Sequence, residues 1–287
     1  SMPAAASDWD GAGANGYAPP DTSMDVGPTQ VVEAVNVTLA IYDKSTGAKV
    51  YGPSGINALW SGFGGLCQSD NNGDPTVQYD RLANRWVVSQ FALSGADGNA
   101  VPFLQCVAVS QTPDALGSWY RYAFPYSFFP DYPKLAVWPD AYYTTFNAFN
   151  AAGTAFLGGV VCAYDRAQML IGGAATQVCK TESAYGSILV AGVEGSVPPA
   201  TGTAAYAVSI ENSTKLAVWR FKPDFTTPAN STWVKQTSAT IASFGYPCSG
   251  GAGSCVVQPG TTNTLDTDRK STRLNSSHGY ISYAVFC

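Results

Sequence analysis

Asp25-Val26-Gly27-Pro28-Thr29-Gln30-Val31-Val32-Glu33-Ala34-Val35-Asn36 sets the pattern by which the rest of the chain is read. An aspartate and a proline lead into a short, mostly apolar run that ends on a turn residue. Asp74-Pro75-Thr76-Val77-Gln78-Tyr79-Asp80, followed by Arg85-Trp86-Val87-Val88-Ser89-Gln90, keeps the same order. So does Asp131-Tyr132-Pro133-Lys134-Leu135-Ala136-Val137-Trp138-Pro139-Asp140, followed by Tyr142-Tyr143-Thr144-Thr145-Phe146-Asn147. The leading aspartates stand 49 and then 57 residues apart. A period of about fifty residues with several strands per unit is the mark of a β-propeller blade.

Outside these units the period is still two. Alternating or apolar runs occupy residues 30–42, 76–79, 85–93, 105–110, 142–149, 159–164, 204–210 and 215–221. They are rich in Val, Tyr, Phe and Thr and bounded by Gly, Pro, Asn or Asp, which is the strand signature. Residues 164–171 are the one helical piece, about two turns at most. The fold class is therefore all-β, a β-propeller with about five blade-like repeats, incomplete at its C-terminal end. A β-sandwich with long loops is the competing architecture.

Composition agrees. Of 287 residues only 12% are charged, while 29 are Gly and 18 Pro, which argues against helical bundles and coiled coils. An aromatic share of 13% and a hydrophobic share of 46% exclude intrinsic disorder. No apolar run is long enough to span a bilayer. A net charge of −5 without a basic stripe makes nucleic acid a poor partner.

Residues 268–287 read as the translation of a short-read sequencing adapter, with Gly279-Tyr280 in its variable index, and are set apart from the fold. The domain reading is residues 1–20 as a tag remnant and extended arm, 21–267 as the propeller-like domain, and 268–287 as a non-native tail. Setting the tail aside removes the only histidine, His278, and leaves six cysteines. An even set suits disulfides and an oxidising, extracellular compartment. Cys248–Cys255, across a glycine-rich loop, is the best pair, and Cys162–Cys179 and Cys67–Cys106 follow. Other connectivities, and free core thiols, stay open.

Longer motifs carry a resemblance. Pro19-Pro20-Asp21-Thr22 with Asp25-Val26-Gly27-Pro28, Gly73-Asp74-Pro75 with Tyr79-Asp80 and Arg85-Trp86, and Asp131-Tyr132-Pro133-Lys134 with Val137-Trp138-Pro139-Asp140-Ala141-Tyr142-Tyr143 resemble a family of secreted bacterial β-propeller-like proteins. Gln105-Cys106-Val107-Ala108-Val109-Ser110 and Gln258-Pro259-Gly260-Thr261 have counterparts there too. The chain departs from that pattern at Ser23-Met24 and at Thr29-Gln30. The resemblance implies fold and secretion; it brings no settled activity. Its members continue past Leu265-Asp266 with further strands, so a ring left open here would expose a sheet edge, and a second copy would dimerise through it.

Without a native histidine, Ser-His-Asp and Cys-His catalysis and histidine-ligated zinc drop out of this segment. Carboxylates remain. If the units are in register, Asp25, Asp74 and Asp131 ring the mouth of a central channel beside Lys134. Two carboxylates placed there would serve as acid and base, or acid and nucleophile, in glycoside cleavage. The alternative is that repeated aspartates bond the turns that open each blade. Asp21, Ser23 and Asp25, and again Asp70, Asn72 and Asp74, place oxygens at alternate positions, which suits Ca2+; an Asx turn is the alternative. No organic cofactor is implied. Trp60 and Trp119, beside glycine-rich loops, would stack on sugar, and Arg121 would hold an anionic group.

These features read as a secreted protein that binds or processes extracellular polysaccharide, as a carboxylate-dependent glycoside hydrolase or lyase. The alternative is a non-catalytic, calcium-stabilised lectin, adhesion or structural surface module.

Overall fold

The computed structural model describes residues 8–16, 20–94, 100–193, 195, 197–245, 254–257, 260 and 264–266. The chain forms one antiparallel sheet after another in sequence order. The first holds β1 (Thr22–Val26), β2 (Gln30–Val35), β3 (Thr38–Asp43) and β4 (Lys49–Gly55), each paired to the next. The second holds β5 (Thr76–Asp80), β6 (Arg85–Ser94), β7 (Ala100–Ser110) and β8 (Trp119–Tyr126). The third holds β9 (Phe129–Val137), β10 (Ala141–Phe149), β11 (Phe156–Asp165) and β12 (Gln177–Glu182). In the fourth, β13 (Leu189–Val190), β14 (Ala205–Asn212), β15 (Lys215–Lys222) and β16 (Thr232–Lys235) follow one another, and β17 (Ala239–Thr240) also pairs with β15. A hairpin of β18 (Ser254–Val257) and β19 (Thr264–Asp266) comes last. Consecutive sheets, rather than two facing sheets, take up the described strands.

Burial follows from this stacking. Strand β15 alternates, with Ala217, Trp219 and Phe221 buried and Lys215, Arg220 and Lys222 exposed. Strand β6 is buried from Trp86 to Ala92, because both its faces are covered. Its Trp86, Val88 and Ala92 pack with Val32, Ala34 and Leu39 of the first sheet. Its Val87 packs with Leu135, Tyr142 and Phe146 of the third. A third core joins Tyr143, Val161 and Ala163 to Ala205, Trp219 and Phe221. On the far face of the first sheet, Val31, Val35, Ala40 and Tyr42 are covered by Trp9 and Ala12 of the N-terminal arm.

Local chemistry sets the turns. Asn36, at φ +52°, turns β2 into β3, a left-handed position that asparagine tolerates. A side chain at Gly27 would lie 2.6 Å from the Trp86 ring, which accounts for the glycine in Asp25-Val26-Gly27-Pro28. The helical reading at residues 164–171 reduces to one turn, α2 (Arg166–Met169), which follows α1 (Leu66–Ser69) in chain order and is capped by Asp165.

Two disulfides are present among the described residues. Cys67–Cys106 ties α1 to β7, and Cys162–Cys179 joins directly opposed positions of β11 and β12. Both match the expected pairs and suit an oxidising environment. Cys248–Cys255 and the tail at 268–287 lie outside the described residues. Among the described residues no helix is long and apolar enough to cross a membrane.

Candidate functional site: a carboxylate cluster on the first strands

The first strand of each sheet lies against the first strand of the next, β1 on β5, β5 on β9 and β9 on β13. Side chains bridge these neighbours. Ser23 Oγ accepts from Val77 N at 2.9 Å, and Asp25 Oδ2 accepts from Tyr79 N at 2.7 Å. One sheet further on, Asp74 Oδ2 accepts from Tyr132 N at 3.2 Å. A backbone amide on a first strand, which has no ladder partner on that side, is thereby satisfied by its neighbour's side chain.

These bonds fix the register. Ser23 stands level with Val77 and Asp25 with Tyr79, which sets Asp21 level with Pro75, next to Asp74. Asp25 lies four residues along β1, roughly 13 Å of strand away. It is held there by Tyr79 N, by Val26 N at 2.7 Å, and by Arg81 at 3.9 Å. The structure thus brings Asp74 together with Asp21, Asp131 and Lys134, while Asp25 stands apart from them.

The electrostatics show the grouping. Burial, then the negative charges of Asp21 and Asp131, push Asp74 up from its ordinary 3.8 to about 6. The ammonium of Lys134 and the bond from Tyr132 N act against that rise. Lys134 is itself held with Nζ 3.8 Å over the Tyr132 ring, a cation–π contact. Asp131 sits opposite Asn147 in the β9–β10 pairing. Asp21, Asp74 and Tyr132 all take left-handed backbone, at φ +41°, +46° and +57°, and Ser187 just before β13 does the same at +51°. Such positions are sparsely populated for residues other than glycine; Asp21, Asp74 and Ser187 take them just before β1, β5 and β13, and Tyr132 takes one inside β9. Asp74 as a whole residue is partly buried.

The remaining expected site residues fall elsewhere. Trp60 does not face a ligand: it is 0% exposed in the first core, and its indole N–H points at Tyr122 O, 3.4 Å away. The nearby glycines free the loop after it, not the tryptophan. Trp119 is partly buried on that core, with Nε1 donating to Ala115 O at 3.2 Å. Arg121 donates to Ser61 O at 2.6 Å and lies 5.8 Å from the centre of the Phe63 ring. In the second oxygen-rich loop, Asp70 accepts from Ser69 Oγ at 2.5 Å and Asn72 from Leu93 N at 2.9 Å. The alternating oxygens of both loops thus bond neighbouring protein groups. Among the described residues no group of three or more His, Cys, Asp or Glu is disposed to hold a metal ion.

One ionic group had no sequence signal. Asp80, fully buried, receives Arg166 Nε at 2.7 Å, Arg166 Nη2 at 3.1 Å and Tyr142 Oη at 2.7 Å. Leu82 N and Ala83 N cap its other oxygen at 3.0 and 3.1 Å. This network fastens the second sheet to the third beside the cluster's strands.

No family model and no curated protein matches the chain. Several solved structures are similar, among them two GH43 enzymes. A GH43 endo-arabinanase from Bacillus licheniformis shares 13% identity at a TM-score of 0.40, covering 87% of this chain and 88% of that one. A GH43 β-1,3-galactosidase shares 11% at 0.37, covering 74% and 44%. At such distances neither assigns fold or activity, and the architecture described above rests on its own strands and hydrogen bonds.

Proposed function

We propose that the four-stranded sheets are blades of a β-propeller, with β1, β5, β9 and β13 lining its axis, in a secreted protein that processes extracellular polysaccharide. The observation that carries this reading is the environment of Asp74. A carboxyl that stays protonated up to about pH 6, beside two further carboxylates, is a proton donor placed next to a proton acceptor. In glycoside cleavage Asp74 would protonate the departing oxygen. Asp131 or Asp21 would take the proton from water or stabilise the positive charge that develops on the sugar. Lys134 would limit the rise of the Asp74 pKa, keeping the donor within range of neutral pH. Asp25, committed to Tyr79 N and Arg81, takes no part.

Release of reducing ends from a panel of polysaccharides and aryl glycosides tests this. Asp74→Asn is expected to lose turnover by about 10²–10⁴-fold with its far-ultraviolet spectrum intact, whereas Asp25→Asn keeps turnover in whatever fraction folds. An Asp74→Asn protein as active as the parent removes the proposal.

A second reading has its own support. Asp25 and Asp74 each accept from the first strand of the next sheet, which is what a blade-to-blade fastener in a non-catalytic glycan-binding module would do. Glycan retention on an array, with no product formed from any glycan retained, would select this reading.

A further inference from the structure

We propose that the Cys162–Cys179 bond is a thiol-exchange site, at which a small thiol such as glutathione becomes attached to Cys179. The two disulfides differ in what surrounds them. Cys67 and Cys106 are 1% and 0% exposed and belong to the first core. Cys162 is likewise 0% exposed, in the core with Phe124 and Tyr164, but Cys179 is exposed. Strand β12, which carries Cys179, is the edge of its sheet, so nothing pairs along its outer side within that sheet.

Thiol–disulfide exchange requires the incoming thiolate to approach in line with the bond it breaks. Here the exposed Cys179 on the sheet's edge strand is the sulfur open to that attack, with Cys162 Sγ as the group displaced. In the first step the incoming sulfur forms a bond to Cys179 Sγ, and the Sγ–Sγ bond breaks. Its electron pair leaves on Cys162 sulfur, which takes a proton from water and becomes a buried thiol. A second thiolate then attacks the attached glutathione sulfur, releasing oxidised glutathione and the Cys179 thiolate. The reductant is the thiol pool throughout, and complete reduction of the bond consumes two thiols.

The sheet survives this chemistry. Positions 177–182 of β12 pair in continuous register with positions 164–159 of β11, so the strand does not depend on the sulfur bond for its place. The bond also closes a short span of 17 residues, against 39 for Cys67–Cys106, so its loss frees less chain entropy.

The test is a titration of the whole folded chain with graded ratios of reduced to oxidised glutathione. Samples are quenched by alkylation and mapped peptide by peptide, so that Cys248, Cys255 and Cys287 are scored separately. Expected is a glutathione adduct on Cys179 with an alkylated Cys162, while Cys67 and Cys106 stay joined and the far-ultraviolet spectrum is unchanged. Three results overturn the proposal: both bonds opening together, an adduct on Cys162 in place of Cys179, or a Cys162–Cys179 bond that opens only on unfolding.

Discussion

Replacing Asp74 by Asn should make the protein more stable at neutral pH and leave it nearly unchanged in acid. The carboxyl rises from 3.8 to about 6 on folding, because burial and the charges of Asp21 and Asp131 disfavour its ionised form. A carboxyl whose pKa is higher in the folded state supports folding only while protonated. That support is complete below the unfolded pKa and is lost as pH climbs through the folded one. Each pH unit of such a rise is worth about 1.4 kcal/mol, so ionising Asp74 at pH 7.5 costs the folded state roughly 3 kcal/mol. Asn keeps an oxygen for the bond from Tyr132 N and never ionises. For a domain of this size roughly 3 kcal/mol corresponds to a rise of about 6–12 °C in melting temperature. Calorimetry of both proteins between pH 3.5 and 8 reads the difference directly, which should grow between pH 4 and 7 and then level off. A shift that is the same at every pH, or a variant less stable at pH 7.5, refutes the reasoning. The sign also separates this residue from an ordinary fastener, whose removal costs stability.

Three further outcomes follow from the same contacts. Arg166→Met strips Asp80 of its ion-pair partner inside the protein and should cost about 3–5 kcal/mol in urea unfolding; in a cycle with Asp80→Asn the double variant should lose clearly less than the two singles added, and simple additivity would contradict the pairing. Gln90 is fully buried with neither amide atom partnered among the described groups, so Gln90→Met should raise stability by about 1–2 kcal/mol, and a fall of that size would mean the amide is satisfied after all. Because Ser23, Asp25, Asn72 and Asp74 already accept hydrogen bonds from protein groups, dialysis against a chelator should move the melting temperature by less than about 2 °C; a larger drop, restored by calcium, would support the cation reading of those loops.

Much of the fold was legible because β structure writes itself in alternation. The runs at 85–93, 142–149 and 215–221 are strands β6, β10 and β15, nearly end to end. Cys67–Cys106 and Cys162–Cys179 were readable as successive cysteines along the chain, although other connectivities were open. The short outer strands β4 and β16 escaped, since each exposes most of its residues and shows no apolar side. At the candidate site, the sequence singled out Asp74, Asp131 and Lys134 but aligned Asp25, rather than Asp21, with them. Asp25 and Asp74 each lead into a proline and a strand run, so a repeat aligned by eye pairs them, whereas the bonds set Asp25 level with Tyr79, five residues past Asp74. Only the bonds from Val77 N and Tyr79 N decide that Asp21 keeps company with Asp74. Trp60 misled for a different reason: glycines beside a tryptophan signal a loop, and say nothing about which way the ring turns. The Asp80–Arg166 pair, 86 positions apart, leaves no local trace at all.

The first sheet turns one face away from the second, and that face too needs cover. Here a strand-free thread does that duty. Ala12 N donates to the Glu33 carboxylate at 2.7 Å, and any side chain at Gly11 would come within 2.7 Å of the same oxygens. Trp9 lies so close to Gly47 that a larger residue there would collide with the indole. With Trp9 and Ala12 drawn down over Val31, Val35, Ala40 and Tyr42, the wall turns into interior, and that end presents a polar backbone to its surroundings instead of an oily sheet.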